Sequence, residues 1–151
     1  MSGNSVLIRP YKGLTPYDES DAPFFFGREA ERESIAANLM ASRLTLLYGP
    51  SGVGKSSVLR AGVVYHLRKL SEQNLIERGT PEFVVIVFNT WRDDPIPGLV
   101  AHIQEAISPL LVGQKIREIE KGSLLKNLQF WSEQIDGDLL IILDQFEEYF
   151  L

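Results

Sequence analysis

The stretch Gly49-Pro50-Ser51-Gly52-Val53-Gly54-Lys55-Ser56-Ser57 puts spaced glycines directly before a lysine and a pair of hydroxyls. It fits G-x-x-x-x-G-K-[ST], the phosphate-binding loop or P-loop. Each part has a chemical reason. Glycines let the backbone turn so that successive N–H groups point inward at one anion. A helix starting at Lys55 adds its positive N-terminal end. Lys55 can reach β- and γ-phosphates, and Ser56 can set its hydroxyl on Mg²⁺. The plain alternative is a glycine-rich strand-to-helix turn that binds nothing.

A second constellation is Leu139-Leu140-Ile141-Ile142-Leu143-Asp144, an apolar run closed by a carboxylate. Ligands of open parallel sheets sit at the C-terminal ends of strands. Asp144 is therefore placed to hold Mg²⁺, through water or beside Ser56, in the manner of a Walker B strand. Glu147 and Glu148 follow, and one of them could polarise an attacking water as a general base. Glu148 is the favoured choice. The plain alternative is an acidic first helical turn, which the helix dipole favours.

The elements that must position these residues can be read from periodicity. A helix is expected from Gly27 to about Ser42, with Ile35, Ala36, Leu39 and Met40 on its apolar face. Arg43–Tyr48 reads as a short buried strand. Lys55 to about Leu70 reads as a helix through Leu59, Val63 and Leu67. Phe83–Phe88 (FVVIVF) is β-branched and aromatic throughout, as in a strand covered on both faces. Further helices are expected over Pro97–Ser108, ended or kinked by Pro109, and after Ser123 through Leu124, Leu128, Trp131 and Ile135. Asp136-Gly137 turns into a last strand, Asp138–Asp144, and Phe146–Leu151 begins another helix. Strands separated by helices predict an α/β fold with a parallel, three-layer sheet.

Composition bounds the function. The 151 residues carry a net charge of −5, with 44% hydrophobic and 23% charged residues and no cysteine. Disulfide scaffolds, thiol catalysis and Cys-ligated zinc are excluded. The acidic balance argues against nucleic acid as a partner. No apolar run reaches membrane-spanning length, and Met1–Ser5 lacks a basic and apolar leader, so the expected location is cytoplasmic. His66 and His102 have no partners at metal spacing and read as ordinary helix residues. Arg60, Arg68 and Lys69 read as a solvated face, Trp91 as packing, and Arg92 as a minor candidate for phosphate contact.

Three stretches together are more specific than the P-loop alone: Tyr11–Tyr17 with Asp21–Glu29 (containing FFGRE), Leu46–Gly62 around the P-loop, and Leu143–Phe150 (containing DQFEE). On these residues the chain resembles the nucleotide-binding domain of STAND NTPases, most closely novel STAND type 1. The resemblance implies an ASCE-type P-loop fold related to AAA+ and NACHT domains. It implies ATP and Mg²⁺ as cofactors and a multidomain signalling ATPase that switches with bound nucleotide. Its partners would be an effector and C-terminal repeats of the same chain. By the same resemblance Phe26, Gly27 and Arg28 would lie over the adenine, and Glu148 matches the last acidic residue of the NACHT Walker B pattern. Gln145 follows Asp144 where many AAA+ ATPases have Glu, which leaves the base open between Glu148 and Glu147.

The resulting expectation is an N-terminal Pro-rich, aromatic coil over 1–26 packed on a P-loop core over 27–151. By resemblance the core is truncated after the Walker B strand, and the central strand, sensors and arginine finger would follow Leu151. Rival readings are an AAA+ DNA-processing ATPase, a small P-loop kinase and a non-hydrolysing interaction module. ATP is favoured over GTP because no N/T-K-x-D box is present. With its central slot vacant, the chain is expected to self-associate through strand edges or to pair Arg43–Tyr48 with Asp138–Asp144 directly.

Overall fold

The computed structural model describes residues 12–92, 94–113, 116 and 123–151. The expectations for Met1–Ser5, Pro10, Tyr11 and Asp93 lie outside these residues. The chain forms two compact units, Met1–Tyr65 and His66–Leu151.

In the first unit a 3₁₀ helix, Glu19–Phe24, is capped by Asp18, whose carboxylate accepts from Ser20 N. Helix α1, Glu29–Ala41, starts with Glu29 and Glu31 in its first turn, where the dipole favours negative charge. After the glycine loop comes α2, Lys55–Ser57, which runs into a π-helical segment, Val58–Val64. The π winding turns Val58, Ala61, Gly62, Val63 and Val64 inward together. Phe25 packs on this segment. A Cβ added to Gly62 would stand 3.4 Å from Phe25 Cε1, and Tyr17 and Phe25 rings meet at 5.9 Å.

The second unit opens with most of α3, Tyr65–Arg78, which runs past the expected end near Leu70 because no breaker intervenes before Gly79. Its Ser71 hydroxyl donates to Phe83 O at 2.6 Å, anchoring the next element. That element is β1, Phe83–Phe88, with the expected bounds. Helix α4, Pro95–Ile107, begins under an Asp94 cap and gives way to a 3₁₀ turn, Ser108–Leu110, at Pro109. Helix α5, Leu124–Ile135, follows, and its last turn leads through Asp136 into β2, Asp138–Leu143. The two strands are parallel and in register from Phe83↔Asp138 to Phe88↔Leu143. Gly137 is required at the entry, because a Cβ there would meet the Glu82 carbonyl at 3.0 Å.

One core serves this unit. Val84, Ile86 and Phe88 of β1 pack with Ile103 and Ile107 of α4 and with Trp131 of α5. Ile103 and Ile107 are completely buried, each burial worth about 1.5–3 kcal/mol.

The expected strand Arg43–Tyr48 is not one. Among the described residues the sheet has two strands, β1 and β2, and residues 43–48 join no ladder. Leu44, Leu46 and Tyr48 are 87, 80 and 85% exposed. The reason is physical. An apolar, β-branched or aromatic text states a preference, but a strand exists only where a neighbour takes its N–H and C=O groups.

Candidate functional site

The first unit carries the glycine loop. Gly52 and Gly54 have φ of +82 and +84°, a region closed to most side chains, so the glycines of the motif serve the turn itself. Gly54 is the N-cap of α2. A glycine offers no side-chain acceptor, and no side chain caps this helix start. Lys55 Nζ folds over the loop and donates to Gly49 O at 2.8 Å and Pro50 O at 2.9 Å. Carbonyl ligands of this kind are exchangeable for phosphate oxygens, which attract the ammonium more strongly. The loop therefore fits a polyphosphate on its own geometry.

Beside it lies a cleft of about 410 Å³ lined by Arg28, Glu31, Tyr48, Val53 and Lys55 among others. Arg28 Nη1 donates to Val53 O at 2.8 Å, and its Nε binds the Glu31 carboxylate. That bond holds the Glu31 carboxyl below its ordinary range and raises the guanidinium. Of the three residues expected over a base, Arg28 thus meets the loop. Phe26 is exposed, and Gly27 donates its N–H to Glu29 Oε1 at 3.1 Å. On the other side of the loop Tyr17 N donates to Ser57 Oγ at 3.1 Å. Pro50, Ser51 and Val53 sit on the exposed rim, and Ser56 is half-buried in the first turn.

The second unit carries the carboxylates. The expected strand end at Asp144 falls one residue earlier, at Leu143, and Asp144 follows β2 directly, 3% exposed. Its N–H extends the ladder to Phe88 O at 2.9 Å, and its carbonyl accepts from Trp91 Nε1 at 2.8 Å. Gln145 then takes a left-handed conformation, φ +56°, and starts a 3₁₀ helix, Phe146–Phe150. Glu147 and Glu148 stand exposed in its first turn. Phe146 and Tyr149 stack at 5.8 Å, and both meet the Trp91 ring edge-on. Arg92 is exposed, while His102 Nδ1 lies 3.3 Å from Val87 O and its ring meets Phe88.

Among the described residues no group of three or more His, Cys, Asp or Glu forms a metal cage. Sequence reading missed two links: Arg28 to Val53, and Trp91 to Asp144. Both run from a side chain to a main-chain oxygen, for which residue type gives no signal.

A phosphate-fitting glycine loop and a buried carboxylate at a strand end are the features of a nucleoside-triphosphate-handling protein. The family described as Novel STAND NTPase 1 (nSTAND1) matches residues 10–151, and the chain belongs to it. No curated protein and no solved structure gave a significant match. No helix among the described residues is long and apolar enough to cross a membrane.

Proposed function

We propose that this chain is the nucleotide-binding part of a multidomain STAND signalling ATPase, an ATP- and Mg²⁺-dependent switch with slow hydrolysis in the intact protein. The observation that carries this reading is the glycine loop. Gly52 and Gly54 adopt the positive φ such a loop needs, and Lys55 Nζ is curled into it at 2.8 and 2.9 Å from its carbonyls. The family supports the wider class of NTPase.

In this reading the chain adopts the three-layer P-loop fold, with β1 and β2 as part of its sheet. The loop amides and Lys55 hold the phosphates, neutralising charge at the β/γ position. Ser56 and Asp144 would each serve as a ligand for Mg²⁺, which would neutralise the charge that develops on the phosphoryl oxygens. Glu148 orients the attacking water, with Glu147 as its substitute. The tight 3₁₀ turn after Gln145 leaves both carboxylates on the surface, where each can reach solvent water. Partners are the effector and repeat domains of the same chain, in the cytoplasm.

The deciding experiment is calorimetric titration with ATP, ADP and GTP, with and without Mg²⁺. Binding of ATP that tightens with Mg²⁺ and exceeds GTP supports the reading. No binding of any nucleotide overturns it.

A further inference from the structure

The glycine loop is gripped from outside by the segment that precedes α1. Arg28 Nη1 donates to the carbonyl of Val53 at 2.8 Å. The same guanidinium lies over Gly54, where an added Cβ would come within 3.1 Å of Nη1. Glu31, one turn into α1, binds Arg28 Nε and so fixes the fork in place. Tyr17 N holds Ser57 Oγ at 3.1 Å. The stretch from Tyr17 to Arg28 therefore touches the loop at Val53 and at Ser57, on either side of Lys55 and Ser56.

We infer that Arg28 is a positioning residue that sets the Val53–Gly54 peptide for phosphate binding. The inference rests on the nucleotide reading of the loop. Its physics is that of a planar trans peptide, in which the carbonyl and the next N–H point in opposite directions. No cis peptide occurs among the described residues. Pinning Val53 O to Arg28 therefore aims the Gly54 N–H away from Arg28. Gly54 has no Cβ to hinder rotation of this peptide, and its φ of +84° lies in a region where glycine moves freely. Without the clasp this peptide can flip and present a carbonyl where an anion needs a donor. Arg28 thus acts through the loop rather than on the ligand. Glu31 neutralises its charge and leaves it a structural fork.

The test uses the full chain as wild type, Arg28→Ala, Arg28→Lys and Lys55→Ala. Each is titrated with Mg-ATP and with Mg-tripolyphosphate, which has no base. The Gly54 amide N–H signal is recorded by NMR without ligand. Arg28→Ala is expected to weaken both ligands by the same factor, about tenfold for one lost charge-assisted hydrogen bond. The Gly54 amide signal should shift or split as the peptide is released, while α1 keeps its exchange protection, and Arg28→Lys should recover part of both effects. Weakening of ATP alone would assign Arg28 to the base and overturn the inference. So would an unchanged Gly54 amide signal, whatever the ligands do. If Lys55→Ala binds both ligands like wild type, the nucleotide reading of the loop fails, and that failure is distinct because the NMR experiment needs no ligand. Should Arg28→Ala not fold, Arg28→Lys and Arg28→Gln carry the same comparison.

Discussion

Trp91 and Asp144 are joined by a hydrogen bond from the indole Nε1 to the Asp144 main-chain oxygen, 2.8 Å long and buried. It ties the loop after β1 to the end of β2, just beyond the last ladder bond from Asp144 N to Phe88 O. Trp91 also meets the rings of Phe88, Phe146 and Tyr149. Asp144 is thus held by its backbone from both sides. Trp91→Phe keeps a ring but strands the carbonyl. It is expected to cost about 1–2 kcal/mol of stability. Urea denaturation measures this, and an unchanged midpoint would show the bond to be idle.

Lys55 should carry the affinity for nucleotide. Its ammonium sits on two loop carbonyls that phosphate oxygens would replace. Lys55→Ala is expected to weaken ATP at least tenfold, about 1.4 kcal/mol. Equal affinities in calorimetry would remove the loop from the site.

Binding and turnover should separate at the end of β2. Asp144→Ala leaves the main-chain oxygen that Trp91 holds, so that bond is kept while the side chain is lost. Mg²⁺-dependent binding should weaken. Glu148→Gln should keep ATP bound and stop hydrolysis in the intact protein. Wild-type turnover by Glu148→Gln would move the base role to Glu147.

The Arg28–Glu31 pair makes a prediction about pH. Hydrogen bonding to Arg28 lowers the Glu31 carboxyl from its ordinary 4.5. A lowered folded value means that the pair's contribution is present above the ordinary value and fades as pH falls through the folded one. The side chains are 36 and 52% exposed, so water screens the pair and the effect on global stability is small. The local effect is measurable. Carboxyl NMR titration should show Glu31 moving up toward its ordinary value in Arg28→Ala. No movement would mean that the clasp does not persist in solution.

The parts legible in the sequence are those where residue type alone dictates the outcome. Gly52 and Gly54 stand at positive φ, which glycine adopts without strain. Phe83–Phe88 is a strand with its predicted bounds, because a continuous β-branched and aromatic run bounded by turn residues has few other solutions. Asp136-Gly137 makes the predicted turn, Asp136 in the left-handed region and Gly137 against the Glu82 carbonyl. What was not legible depends on partners. The text of Arg43–Tyr48 is as strand-like as that of β2, yet among the described residues β2 has a strand that answers its backbone and Arg43–Tyr48 joins no ladder. Trp91 could be read as a packing residue, but not its bond to a residue 53 positions away.

That unpaired segment makes the last prediction. Leu44, Leu46 and Tyr48 are exposed at alternate positions, the pattern of one strand face, and Leu47 is also partly exposed. Their backbone belongs to no ladder among the described residues, and their apolar side chains are open to another chain. Thr45 Oγ1 donates to Asn38 O at 3.1 Å, which fixes the start of the segment beside α1. Apolar, strand-like segments outside a ladder recruit partners edge to edge. The 151-residue chain is therefore expected to self-associate as its concentration rises. Light scattering should show the growth, and hydrogen exchange should show residues 44–48 gaining protection in the associated form. Leu46→Lys places a charge at the centre of the exposed face and should return the chain to monomer without touching the glycine loop. A wild-type chain that stays monomeric at high concentration with this segment unprotected would refute the idea. Association that survives Leu46→Lys unchanged would place the contact elsewhere on the molecule.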